Sequence, residues 1–175
     1  IFYVVDMATG EKQQLMNGEK ISYATLSPDN DKVAFVKENN LYMVELASNK
    51  LTQITKDGEW NKIINGAADW VYEEEFSMAQ AFKWSPDGKK IAFIRFDESQ
   101  VPEFNMQTWG PLYPQDYKFK YPKAGEKNSI VSIHVYDLAT AKTQKVDAGT
   151  ETDIYLPRIY WTQDANTLAF IRMNR

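Results

Sequence analysis

The 175-residue chain contains no cysteine and a single histidine, His134. Without cysteine, disulfides and thiolate metal sites are excluded. No Asn-x-Ser/Thr sequon occurs. Together these absences fit a bacterial protein better than a secreted animal one. No apolar run reaches the 18 residues or so that a membrane-spanning helix requires. No G-x-S-x-G nucleophile motif is present. The net charge is −4 and no basic stripe is visible, which argues against nucleic acid as a partner. No leader peptide opens the chain. It begins at Ile1 inside a strand-like run, and so reads as an internal piece of something longer.

What is present is hydrophobic and aromatic: 43% of residues are hydrophobic and 14% aromatic, enough to bury a core. The chain also repeats itself. "LSPDNDKVAFVKE" from Leu26, "WSPDGKKIAFIRF" from Trp84 and "WTQDANTLAFIRM" from Trp161 share a turn followed by an Ala-Phe strand. A second unit interleaves with them in "FYVVDMATGEKQQL", "LYMVELASNKLTQI" and "IHVYDLATAKTQKV". In "SPDG", proline presets φ, aspartate bonds back to the turn and glycine tolerates positive φ. The flanking runs are rich in Val, Ile, Phe and Tyr. Turn-punctuated strand pairs that repeat along a chain predict a propeller of four-stranded antiparallel blades. An ordinary β-sandwich is the alternative, and it needs no internal alignment. The expected architecture is all-β: a partial β-propeller of about three blades, with a short helix and an extended arm inserted.

The Ala-Phe pairs recur 58 and 77 residues apart, more than the roughly 40–45 of a minimal blade. Two insertions follow. The first, from about Gly58 to Gln80, holds "DWVYEEEF". Asp69 is a good N-cap, no Pro or Gly interrupts Trp70 to Ala81, and Tyr72, Phe76 and Ala79 share one helical face. A helix is predicted there. Acidic residues suit its first turn electrostatically. Glu73, Glu74 and Glu75 cannot all lie on one face, although two neighbours can converge on one point. Two readings stand: three solvated charges on a helix end, or a site for a cation. An ammonium offers three donors to paired carboxylates, an arginine binds more flatly, and calcium wants more oxygen ligands than this stretch supplies. The second insertion, about Ser99 to Lys127, holds four of the seven prolines and many aromatics. It reads either as a loop folded on its own blade or as an arm packed on another subunit.

In order along the chain stand "NGAADWVYEEEF", "WSPDGKKIAF", "VPEFN" and "YPKAGEKN". This set resembles the N-terminal β-propeller of the dipeptidyl peptidase IV family of serine exopeptidases, from about Tyr23 onward. The resemblance implies an eight-bladed propeller capping an α/β-hydrolase domain that lies outside this chain. It implies that Glu74 and Glu75 bind the free α-ammonium of a peptide substrate, with Glu73 supporting the helix. It implies a homodimer formed through the arm around residues 103–121. It further implies release of X-Pro or X-Ala dipeptides by a Ser-Asp-His triad in the hydrolase domain, and a periplasmic or extracytoplasmic location, with any membrane anchor in a segment outside this chain. No cofactor or metal is expected. The family's arginine for the substrate carbonyl lies upstream of Ile1. One residue fewer separates "EEE" from "WSP" than in animal members, so no contact beyond Glu75 is carried over. No catalytic residue is expected in this chain, and His134 in "VSIHVYDL" reads as a strand residue. The competing reading is a TolB-like propeller that binds a protein partner and catalyses nothing.

Overall fold

The computed structural model describes residues 1–175, and its elements are strands with one α-helix. A first hairpin joins β1 (Tyr3–Val5) and β2 (Lys12–Gln14). A four-stranded antiparallel meander follows: β3 (Ser22–Leu26), β4 (Lys32–Lys37), β5 (Asn40–Glu45) and β6 (Leu51–Gln53). The next sheet contains β7 (Ile63–Asn65), β8 (Phe82–Trp84), β9 (Lys90–Asp97), β12 (Ile130–Asp137) and β13 (Lys142–Lys145). Between its members lie the helix α1 (Trp70–Phe76) and a separate hairpin of β10 (Glu103–Thr108) and β11 (Gln115–Lys120). A last hairpin pairs β14 (Ile154–Trp161) with β15 (Leu168–Asn174).

The second sheet is a four-row sheet in disguise. β7 pairs with Asp97, Phe96 and Arg95, and β8 continues on the same edge against Phe93, Ala92 and Ile91. The intervening residue, Ile94, is shared. Its carbonyl accepts from Gly66 N–H at 3.1 Å and its own N–H donates to Ala81 C=O at 2.9 Å. Residues 67–80 are therefore looped out of one continuous edge strand. The expected three four-stranded blades are two complete four-row sheets with a two-stranded hairpin at each end. The helix insertion is also narrower than expected, 67–80 rather than 58–80.

Both faces of the central strands are buried, which explains their unbroken apolar runs. On β4, Val33 and Phe35 pack with Leu15, Ile21 and Val44, whereas Ala34 and Val36 face the other way toward Phe82, Trp84 and Phe93. On β9, Ile91 and Phe93 join that second cluster, and Ala92, Ile94 and Phe96 join a third with Ile133, Leu156 and Ile159. Successive sheets thus stack face to face, alternate side chains entering alternate layers. The repeat turns behave as read. Ser27 donates to Asp29, Ser85 to Asp87 at 2.6 Å and Thr167 to Asp164 at 2.8 Å. Positive φ falls at Asn30 (61°) and Gly88 (68°).

Gly58 shows how closely the loop before β7 meets the first sheet. Its N–H donates to Asn40 Oδ1 at 2.9 Å, and a Cβ there would stand 2.4 Å from the backbone oxygen of Asn39. Backbone cannot step aside as a flexible side chain can. Gly58→Ala is expected to destabilise the protein by about 1–3 kcal/mol, whereas Gly110→Ala, with nothing near its Cβ, leaves stability within about 0.5 kcal/mol. Urea denaturation of the two variants compares them; equal midpoints would remove the steric account.

Candidate functional site

α1 is seven residues long and its orientation is set by partners outside it. Asp69, buried at its N-terminus, accepts from Tyr72 N–H at 3.0 Å through Oδ1 and from Ser129 Oγ at 2.6 Å through Oδ2. The first bond caps the helix, and the second ties it to the residue just before β12. Tyr72, in the middle, is 2% exposed. Its ring meets Phe96 edge-on at 4.8 Å and its hydroxyl accepts the Leu156 N–H at 2.7 Å. That N–H is free because β14 is irregular between Tyr155 and Arg158, where Pro157 has no N–H to offer a ladder. At the C-terminus Arg158 Nη2 donates to Phe76 C=O at 2.7 Å. Burial is the main reason that Tyr72 holds its proton more firmly than an ordinary phenol.

The helix ends sooner than the spacing of Tyr72, Phe76 and Ala79 predicts. Ser77 turns left-handed (φ 49°) and Met78 N–H closes on Tyr72 C=O. Ala79 belongs to the return, its carbonyl accepting from Ala68 N–H at 2.9 Å. Tyr72 and Phe76 do share a face, with ring centroids 5.2 Å apart. The shorter helix changes the electrostatics of the glutamates. Only Glu73 lies in the first turn, where the dipole favours negative charge. Glu74 and Glu75 fall at the other end, where the carbonyls carry partial negative charge and a carboxylate gains from a nearby cation.

All three glutamates are exposed, and none joins an ion pair within the chain. They fan outward. Glu75 lines a cavity of about 870 Å³ with Trp70, Phe76, Phe104, Tyr121 and Arg175. Glu73 lines a separate one of about 430 Å³ with Trp60, Glu98, Tyr117 and Lys120, and its charge adds to burial in raising the pKa of Tyr23. Glu74 lies on the helix between them. Aromatic side chains line the cavity on the Glu75 side. They include the Trp70–Tyr121 pair, at 4.1 Å between centroids, which fastens the base of the β10–β11 hairpin to the helix.

Sequence reasoning singled out Asp69 but missed Ser129, Arg158, the Leu156 amide and Glu98. A proline inside the apparently regular run "IYLPRIYW" was the one available signal of the bulge. His134 sits in β12, stacked on Phe93 at 5.4 Å, with Ser132 Oγ 2.9 Å from Nε2. Burial and the Arg95 charge lower its pKa, as for a neutral sheet residue.

Glu98 is the most perturbed carboxyl near the helix. It is 6% exposed, and burial, with the charges of Asp69 and Asp97 against that of Lys120, moves it from 4.5 to about 7. A folded-state pKa above the unfolded value means that the folded protein binds the proton more tightly. The protonated form carries no penalty at low pH, and stability is lost as pH rises between about 4.5 and 7. Glu98→Gln removes that loss. At pH 8 the variant is expected to exceed the parent by about 2–3 kcal/mol, with the difference vanishing near pH 4. Denaturation curves at the two pH values decide, and a gap independent of pH would show that Glu98 does not titrate in this window.

The geometry can be set beside known proteins. The family model described as the dipeptidyl peptidase IV N-terminal region matches residues 1–175. A probable dipeptidyl-aminopeptidase B of Talaromyces marneffei is 36% identical over 186 residues, which cover 95% of this chain and 21% of that protein. The homologous protein of Fusarium vanettenii is 38% identical over 94% of this chain and 20% of its own length. The crystal structure of Porphyromonas gingivalis dipeptidyl peptidase 4 superposes with a TM-score of 0.92 at 42% identity, covering 98% of this chain and 25% of that one. A putative dipeptidyl aminopeptidase IV from Bacteroides ovatus gives 0.77 at 26% identity, over 98% and 23%. The chain spans about a fifth of the length of these curated relatives. It belongs to the dipeptidyl peptidase IV family and corresponds to that family's N-terminal region.

Proposed function

We propose that this chain is the N-terminus-recognition and substrate-gating part of a dipeptidyl aminopeptidase, in which Glu74 and Glu75 bind the α-ammonium of the substrate. The observation that carries the reading is the placement of two adjacent carboxylates at the C-terminal end of a short helix fastened to its surroundings at both ends. Each feature favours a cation. The helix dipole opposes their charge, their neighbours repel it, and neither forms an ion pair within the chain. An ammonium with three donors satisfies both groups at once, and hydrogen bonds to charged groups are the stronger kind.

The chemistry follows from fixing one end of the peptide. With the ammonium held, the bond presented for cleavage is the one after the second residue, and an open chain without a free amine is refused. The attacking serine and its His and Asp partners belong to an α/β-hydrolase domain elsewhere in the full-length protein, and proline or alanine at the second residue is read there. The two complete sheets and two hairpins are part of an eight-bladed ring. Family membership disfavours the alternative of a non-catalytic, TolB-like partner-binding propeller.

In the full-length enzyme, Glu74→Ala and Glu75→Ala are each expected to lower kcat/KM on an X-Pro chromogenic substrate by about two orders of magnitude or more, given about 3–5 kcal/mol for removing one partner of a buried charge pair and 1.4 kcal/mol per tenfold. Glu73→Ala should cost much less. Circular dichroism controls for folding. A crippling Glu73→Ala beside near-normal Glu74 and Glu75 variants would shift the ammonium site by one residue; three harmless variants would make the run a solvated surface.

The β10–β11 hairpin is proposed as the contact between two copies. Every residue of β10 is exposed, and Trp109, Leu112 and Tyr113 at its tip are 78%, 90% and 77% accessible. Apolar side chains so exposed gain from cover. Deleting residues 103–121 from the full-length protein should convert a dimer to a monomer in analytical ultracentrifugation. An unchanged dimer would leave the hairpin without that role.

A further inference from the structure

We propose that Arg158, on β14 of the following sheet, is a positioning residue for ammonium recognition: its guanidinium holds the C-terminal end of α1 so that Glu74 and Glu75 aim at one point. The proposal rests on the reading of those glutamates as the ammonium site.

Two carboxylates share one ammonium only if both point to the same place within a few tenths of an ångström. A helix of two turns cannot secure this by itself. Isolated helices so short are marginal, and their last carbonyls have no internal partner. α1 is further weakened at its end, where Ser77 adopts the left-handed conformation at φ 49°, costly for a residue with a Cβ. The carbonyl that leaves this end is that of Phe76, the residue after Glu75, and Arg158 Nη2 occupies it at 2.7 Å. The guanidinium is held in turn. Its Nη1 donates to Pro157 C=O at 2.6 Å, beside the bulge whose Leu156 N–H bonds to the Tyr72 hydroxyl.

Arg158 is only half buried and appears in no ion pair, whereas Arg95, Arg172 and Arg175 all have acidic partners. Arginine can bond the last carbonyls of a helix; this one spends two donors on backbone carbonyls, and it places an uncompensated positive charge at the C-terminus of the helix that carries the glutamates. The planar fork suits the bridge between two carbonyls, which a single ammonium cannot reproduce. Cutting this link leaves the N-terminal half of α1 intact through Asp69, Ser129 and Tyr72, and frees the half bearing Glu74 and Glu75.

The test compares two inhibitors of the full-length enzyme: an aminoacyl-pyrrolidide, which mimics X-Pro without a scissile bond, and the matching acyl-pyrrolidide lacking the α-amine. The ratio of their inhibition constants isolates the ammonium contribution. Arg158→Ala is expected to reduce that ratio by about tenfold, the size of one charged hydrogen bond, while the amine-free inhibitor binds as before. Arg158→Lys, which keeps the charge and supports folding if Arg158→Ala does not, should recover part of the ratio but fall short of the parent. Glu75→Ala in parallel should collapse it. If Glu75→Ala collapses the ratio and neither Arg158 variant changes it, the positioning role is overturned and the ammonium site stands. If both inhibitors weaken equally in the Arg158 variants, the residue serves the fold alone. If Glu75→Ala leaves the ratio unchanged, the ammonium reading fails and this proposal with it.

Discussion

β9 has no solvent side. Ile91 and Phe93 enter the layer shared with the first sheet, and Ala92, Ile94 and Phe96 enter the layer shared with β14. Each fully buried side chain of this size contributes about 1.5–3 kcal/mol. A slip of one residue would exchange the two sets and fit neither layer. The register of β9 is therefore fixed from both faces, and everything attached to it inherits that precision. The edge strand formed by β7 and β8 is placed against it, and the helix is placed by that strand. The glutamates stand at a defined height over the sheet because of hydrophobic packing beneath them, in residues that touch no ligand.

Electrostatics around the helix run in two directions. At the N-terminal side Asp69 and Glu98 are both buried carboxyls, and burial raises the pKa of each. Asp69 is compensated by the Ser129 hydroxyl and the Tyr72 amide. At the C-terminal side Glu74 and Glu75 are exposed, with Arg158 on the last carbonyl. The fold thus spends its buried hydrogen bonds on orienting the helix and leaves the outward carboxylates open.

Much of this was legible in the chain itself. The sheets were, because "KVAFVK" and "KIAFIR" follow repeated turns and are rich in strand-forming residues. The helix start was, because Asp69 is a cap followed by helix formers. Its end was not. Ser77 takes a left-handed conformation that glycine normally signals, and the Ala68–Ala79 ladder overrode the helical spacing of Ala79. The roles of Glu74 and Glu75 could not be chosen from the residues alone, since solvated charge and cation site predict the same composition; the family resemblance supplied the choice. Arg158 and Leu156 were invisible because their partners lie 82 and 84 residues away, and no local pattern encodes such a distance.

Ile94 divides its two backbone groups between the chain that leaves for the helix and the chain that comes back. The two halves of the edge strand meet at that one residue with no loss of register. Residues 67–80 thus hang from the sheet like a side branch from an unbroken stem. Lengthening, shortening or re-aiming the branch asks nothing of the ladder on either side. A sheet built this way can change what it recognises without first having to refold.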